Sequence, residues 1–194
     1  RLENIMRLLI IVSGSIAIKK SSELIKDLKK KKIEIDFLIT RSALSIIDSL
    51  KISAFKKYNI YTDDFQLKKN KKMLHIDLSR KCDAILVFPA SANVIGKYAN
   101  GIADDLASTT LLASNKPIFM APAMNVEMWN NYANQQNVKK LKKNGINFIG
   151  PIYGNLSCGE IGIGRISDVN VIAEEINMHF NNSKLFILYF NIIN

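Results

Sequence analysis

Five apolar runs of strand length punctuate the chain: MRLLIIV (6–12), IEIDFLIT (33–40), DAILVFP (83–89), KPIFMA (116–121) and INFIG (146–150). They are near-continuous rather than alternating. A strand can be apolar on both sides only if both sides are covered, which is the condition of a parallel sheet with helices on each face. The stretches between them carry helix-period patterns at 16–31, 42–50, 92–99, 105–113 and 130–144. In the first of these, Ile18, Leu24, Ile25 and Leu28 share one side. The expectation is a doubly wound α/β domain with its ligands at the carboxyl ends of the strands.

Two segments fall outside this rhythm. Residues 51–74 are polar and irregular and read as a long connection with its tip at YTDDFQLKKNKK. After a helical pattern at 171–180 comes SKLFILYFNIIN (183–194), too short to cross a bilayer and expected as an added edge strand or an oligomer contact.

A chain of 194 residues with 48% hydrophobic content suits one domain with a sizeable core. No run approaches the roughly 18 apolar residues of a membrane span, and Gly14 ends the apolar start too early for a signal peptide. A soluble, cytoplasmic protein without a membrane partner is expected. Two cysteines (Cys82, Cys158) and two histidines (His75, His179) give neither a disulfide framework nor a zinc spacing, so no metal is expected. The net charge of +10 comes largely from lysine runs at 26–34, 68–72 and 139–143. Few aromatics accompany them, so a solvated face is favoured over a nucleic-acid surface.

Small and polar residues follow each of the first three strand-like runs. SGSIAIK (13–19) places Gly14 and Ser15 where the backbone must turn and where a helix start offers free N–H groups to an anion. Its pattern is not GxGxxG. TRSALSII (40–47) offers Thr40 and Ser42 as helix caps or phosphate ligands, capping being the simpler reading. PASANVIGKYANGIADDLAST (89–109) is rich in Ala, Ser, Asn and Gly. Its small side chains admit a flat ligand, and Ser91 and Asn93 can hydrogen-bond the ligand's edges. Together the three ends favour a phosphorylated cofactor, while no Walker lysine pattern is present.

The fourth run empties into PAMNVEMWNN (122–131), which holds the chain's only Trp. A bland loop favours Gly, Ser and Asp, so an amide among large side chains suggests a binding role. Cys158 lies in NLSCGEIGIGRIS (155–167), between Gly-bearing segments that could form a mobile flap over a site. Cys82 reads as a buried core thiol, and a lone His75 is more often structural than catalytic.

PAMNVEMW (122–129) resembles the PxMNxxMW signature of the homo-oligomeric flavin-containing cysteine decarboxylases. ASANVIGKYANGIADDLAST (90–109), HIDLS with His75 and SCGEIGIGR with Cys158 resemble the same family's flavin-contacting stretch, catalytic histidine segment and substrate-covering flap. The likeness keeps one register from about residue 6 to 172. It implies a flavodoxin-like or Rossmann-like sheet and FMN as cofactor. The FMN phosphate would lie near Gly14, Ser15, Ile16, Thr40 and Ser42, and its ring beside Ser91, Ala92, Asn93 and Val94, with Ser108 and Thr109 close by. His75 would stand over the reacting cysteine of the substrate. Asn125 would hold the carboxylate with Met128 beside it, Ser157 and Gly159 would border the substrate, and Cys158 would return a proton.

The chemistry so implied is FMN-dependent decarboxylation of 4′-phosphopantothenoylcysteine, a small-molecule substrate on the route to coenzyme A. Hydride loss from the cysteine Cβ to the flavin creates a thiocarbonyl, which can hold the electrons that carbon dioxide leaves behind. The family assembles as trimers, sometimes grouped into dodecamers. Three departures stand out. The first turn is SGSIAIKK rather than GGIAAYK, and the flap has Cys158-Gly159-Glu160 rather than CGD. Many bacterial relatives continue into a synthetase domain, whereas here a decarboxylase domain over 1–182, an apolar tail at 183–194 and no synthetase domain are expected. The alternatives are a peptidyl-cysteine decarboxylase or a non-catalytic flavin-binding regulatory relative.

Overall fold

The computed structural model describes residues 5–63 and 73–193. Six parallel strands form the main sheet: β1 (Arg7–Val12), β2 (Glu34–Ile39), β3 (Ile60–Tyr61), β4 (Ala84–Ala90), β5 (Ile118–Pro122) and β6 (Asn147–Phe148). Their spatial order is β3-β2-β1-β4-β5-β6, so the sheet grows in opposite directions from β1 and β4. This is the doubly wound order with its crevice beyond the carboxyl ends of those two strands. A separate antiparallel hairpin pairs β7 (Ile152–Asn155) with β8 (Ile161–Arg165).

Alternate residues of β1 enter different cores. Leu8, Ile10 and Val12 pack with Leu24 and Leu28 of α1 (Ser21–Lys30) and with Ile172, Ala173 and Ile176 of the last helix, α8 (Val169–Ile193). Leu9 and Ile11 face the opposite side. There they share a cluster with α3 (Leu74–Lys81), α4 (Ala92–Ala99), α5 (Leu106–Ala113) and α7 (Tyr132–Lys143). Two further helices are α2 (Arg41–Ser49) and the single-turn-scale α6 (Val126–Asn130).

The structure differs from the sequence expectation in three places. The expected helix at 16–31 begins as a 3-10 turn, Ile16–Lys20, before α1. The connection expected over 51–74 contains the short edge strand β3, and α3, which carries His75, begins at Leu74; most of the expected tip, residues 64–72, lies outside the described residues. The KKNKK run at 68–72 lies outside the described residues. Finally, the expected edge strand at the tail is instead a continuation of α8, whose backbone stays helical to Ile193. The apolar run satisfies its backbone internally rather than by pairing with the sheet.

One buried hydroxyl ties the two central strands together where the sheet reverses. Ser13 Oγ, 1% exposed, donates to Pro89 O at 2.7 Å and accepts from Ser91 N at 2.8 Å. Pro89 brings no N–H to the ladder, and the pairing of β4 with β5 shifts register between Val87 and Ala90. Ser13 supplies contacts that the irregular ladder lacks at this point. Ser13→Ala should leave both backbone groups short of a partner and lower stability by about 2 kcal/mol. A fall in the urea midpoint at unchanged slope would confirm it; an unchanged midpoint would refute it.

Candidate functional site

The polar residues that follow the strands are first of all helix caps. Ser15 Oγ accepts from Ala17 N at 3.4 Å, Thr40 Oγ1 from Ala43 N at 3.3 Å, and Ser91 Oγ from Val94 N at 3.4 Å. Asn125 Oδ1 accepts from Met128 N at 2.8 Å. Four chain reversals therefore present four helix starts at one end of the sheet.

Two clefts open among these starts. The larger, ≈ 850 Å³, is lined by Gly14, Ser15, Ile16, Ser91, Ala92, Asn125, Met128, Ser157 and Cys158. The second, ≈ 670 Å³, is lined by Thr40, Ser42, Asn93, Val94 and Thr109. Both lie within the range typical of cofactor and small-molecule sites. Three expected site residues line neither cleft among the described residues. Gly159 sits exposed at the hairpin tip, with φ 89°. Ser108 is 2% exposed, and its hydroxyl forms a capping box with Asp105. His75 lies on the first turn of α3, and its Nδ1 is buried without a hydrogen-bond partner among the described residues.

Gly14 lets the first two strand ends close on each other. A Cβ there would stand 2.6 Å from Ser42 Oγ and 2.8 Å from Ser42 Cβ. Ser42 Oγ is in turn 3.2 Å from Thr40 Oγ1. Hydroxyls and a bare backbone thus meet at adjacent helix starts, a donor set suited to a phosphate. The small side chains of Ser91 and Ala92 leave room in the larger cleft for an aromatic ring system. These residues fit FMN. Around the second cleft, Lys97 Nζ reaches Asp104 at 2.6 Å and Asp105 at 2.7 Å. Burial alone would raise the Asp105 carboxyl, but hydrogen bonds from Lys97 and Ser108 outweigh it and hold the group below its usual range. Arg41 lines the same cleft and has no acid partner among the described residues.

The PAMNVEMW loop divides its large side chains between two tasks. Met124 and Trp129 pack against the core cluster under α7, and Asn134 Nδ2 reaches the Trp129 carbonyl at 3.3 Å. Asn125 and Met128 face the larger cleft. The cap fixes which way the Asn125 amide points: its oxygen is held by Met128 N, so its NH2 group remains as the free donor.

The thiol is carried by the β7–β8 hairpin, which is docked on this loop. Met124 N donates to Gly164 O at 3.1 Å, and Val126 N donates to Glu160 Oε2 at 3.2 Å. A Cβ on Gly164 would fall 2.3 Å from Met124 O, so only glycine permits the contact. The turn closes through Leu156 N to Glu160 O at 2.9 Å, and Cys158 projects from it, exposed. Cys82 is its opposite: burial pushes that thiol up to about 11.

Sequence reasoning missed Ser13, Arg41, Lys19 and Arg165, the last two lining the larger cleft. Ser13 carried a signal, as the residue joining the first apolar run to the Gly turn. The cations looked like any others in a lysine-rich chain.

Comparisons with known proteins agree with this geometry. A Bacillus subtilis coenzyme A biosynthesis bifunctional protein, CoaBC, is 40% identical over 177 residues, covering 91% of this chain and 44% of that protein. The chain thus spans less than half the length of that bifunctional relative. A Streptococcus mutans protein described as a probable phosphopantothenoylcysteine decarboxylase is 34% identical over 172 residues, covering 88% of this chain and 96% of that one. Among solved structures, a PPC decarboxylase variant in complex with pantothenoylaminoethenethiol superposes with a TM-score of 0.84 at 32% identity, covering 92% of this chain and all of that one. The family profile described as Flavoprotein matches residues 1–181. With the strand order, the hydroxyl-lined helix starts and the amide–thiol cleft already in place, the conclusion is direct: this chain belongs to the flavoprotein family.

Proposed function

We propose that this chain is an FMN-dependent decarboxylase of 4′-phosphopantothenoylcysteine, producing 4′-phosphopantetheine for coenzyme A biosynthesis. The observation that carries the reading is the shared cleft of Asn125, Met128 and Cys158, which opens onto the Gly14–Ser42 junction. Gly14, Ser15, Thr40, Ser42 and Arg41 would hold the cofactor phosphate, and Ser91, Ala92, Asn93 and Val94 would border its ring. When bound, FMN supplies a hydride acceptor for the substrate's cysteine Cβ and a hydride donor after carbon dioxide has left.

The protein's own part is orientation and proton management. The Asn125 NH2 donates to the substrate carboxylate without bringing a positive charge. A buried cation would stabilise the carboxylate in the ground state and resist its departure, whereas a neutral amide only aims it. Cys158, exposed on the hairpin turn, returns a proton to the product side of the cleft. Glu160 keeps that turn in register with the Asn125 loop through Val126 N.

His75 lines neither cleft among the described residues and would serve the cleft of a neighbouring subunit. A homotrimer, or a multiple of trimers, would bring the α3 helix of one subunit to the cleft of the next. Exposed Tyr132 (77%), Tyr153 (70%) and Ile161 (65%) offer apolar area for such contacts.

Five outcomes test this reading. The purified protein should be yellow and should release FMN, not FAD, on denaturation; a colourless protein that takes up no FMN on reconstitution would refute it.

Asn125→Asp keeps an oxygen for the Met128 cap but replaces the free donor by like charge. It should leave FMN bound and lower the decarboxylation rate by about 100-fold or more. In a single turnover, Cys158→Ser should still release carbon dioxide yet fail to yield normal 4′-phosphopantetheine. Normal turnover by that variant would make the thiol structural, and preference of the wild type for a peptide ending in cysteine would favour the peptidyl-cysteine alternative.

Light scattering should give a mass of three chains or a multiple. His75→Asn and Asn125→Asp, each strongly impaired alone, should regain activity when co-assembled. A monomeric mass, or no recovery from the mixture, would remove the shared-site proposal.

A further inference from the structure

The larger cleft contains one unmatched positive charge. Five charged side chains line it: Lys19, Lys20, Glu23, Arg165 and Asp168. Four of these form two local pairs. Lys20 Nζ lies 2.9 Å from Glu23 Oε1, and Arg165 NH2 lies 2.5 Å from Asp168 Oδ1. Lys19 has no acid partner among the described residues. It stands at the end of the 3-10 turn Ile16–Lys20, and its ammonium is exposed to the cleft mouth.

We infer that Lys19 anchors the terminal phosphate monoester of the substrate, at the far end from the carboxylate held by Asn125. The inference rests on the decarboxylase reading above. That substrate is anionic at both ends, and the Asn125 end is served by a neutral amide, so the counter-charge for the dianionic phosphate must come from elsewhere in the cleft. A compact ammonium on a flexible stem binds phosphate as a point charge, and Lys20 and Arg165 are already engaged.

FMN also carries a phosphate, so the same chemistry has a second source. The positions divide the two. Thr40 and Ser42, which suit the cofactor phosphate, line the second cleft together with Arg41. Gly14 and Ser15, also assigned to the cofactor phosphate, line the larger cleft just before the 3-10 turn Ile16–Lys20, whereas Lys19 lines it from the far end of that turn, in one cleft with Asn125, Met128 and Cys158. One free cation stands beside each phosphate's expected place, and Lys19 stands on the substrate side.

The test compares phosphorylated and dephosphorylated ligands on the FMN-loaded protein. For wild type, 4′-phosphopantetheine should bind more tightly than pantetheine in calorimetric titration. Lys19→Gln should weaken the phosphorylated ligand by about fivefold and leave pantetheine unchanged, the modest size reflecting an exposed pair. Lys19→Arg should restore the difference. In turnover, Lys19→Gln should raise KM for phosphopantothenoylcysteine at unchanged kcat, with no change for pantothenoylcysteine.

Equal weakening of both ligands, or an unchanged preference for the phosphorylated one, would overturn the assignment. So would a loss of FMN affinity in Lys19→Gln without the same loss for riboflavin, because the cation would then belong to the cofactor. If wild type decarboxylates neither compound, the underlying reading fails and the substrate-phosphate role falls with it. If it decarboxylates both without Lys19 mattering, only the anchor fails.

Discussion

The reversal of strand order between β1 and β4 is the constraint on which the rest depends. Chains leaving adjacent parallel strands at this point turn away from one another, which opens a crevice that no covering helix fills. Such a crevice would weaken the sheet at its centre if the strand ends were free to part. The Ser13 hydroxyl prevents this by bonding Pro89 O and Ser91 N together from within the core. It also fixes the start of α4, because Ser91 is that helix's cap. One buried oxygen thereby sets the spacing of two of the walls against which a ligand must fit.

Much of this was legible in the sequence, for physical reasons that can be named. Five strands announced themselves because a two-sided burial demands unbroken apolar runs. Ala92–Ala99 matched its expected bounds because Ser91 caps it and Asn100 and Gly101 follow. The expected 105–113 pattern differs only in that Asp105 is the cap rather than the first helical residue. What was not legible was whatever tertiary contact decides. β3 is two residues long and owes its existence to pairing with Phe37 and Leu38. The tail's apolar composition was compatible with either a strand or a helix, and continuity with α8 settled it.

The site shows the same division. Gly14, Ser15, Ser91, Ala92, Asn125, Met128 and Cys158 were chosen from separated motifs and share one cleft. Thr40, Ser42, Asn93, Val94 and Thr109 share another. Residue type alone could not tell that Ser108 turns its hydroxyl into a buried capping box, nor that His75 lines neither cleft among the described residues. The role of Ser13, and the one inferred for Lys19, depend on what their neighbours leave unpaired, and a sequence does not display a vacancy in a bonding pattern.

The docking of the hairpin on the PAMNVEMW loop has a mechanical consequence. Two bonds, Met124 N to Gly164 O and Val126 N to Glu160 Oε2, cross from one to the other, and Gly164 lets the backbones touch. A flap that swung freely from its own stem would break both. While both bonds hold, the thiol-bearing turn and the amide-bearing helix start move as one unit. Any widening of the cleft that preserves those bonds must bend elsewhere, against the wall formed by Ser15 and Lys19. The distance between amide and thiol then stays constant while the cleft's width varies, like a gauge whose two pins are set in the same block.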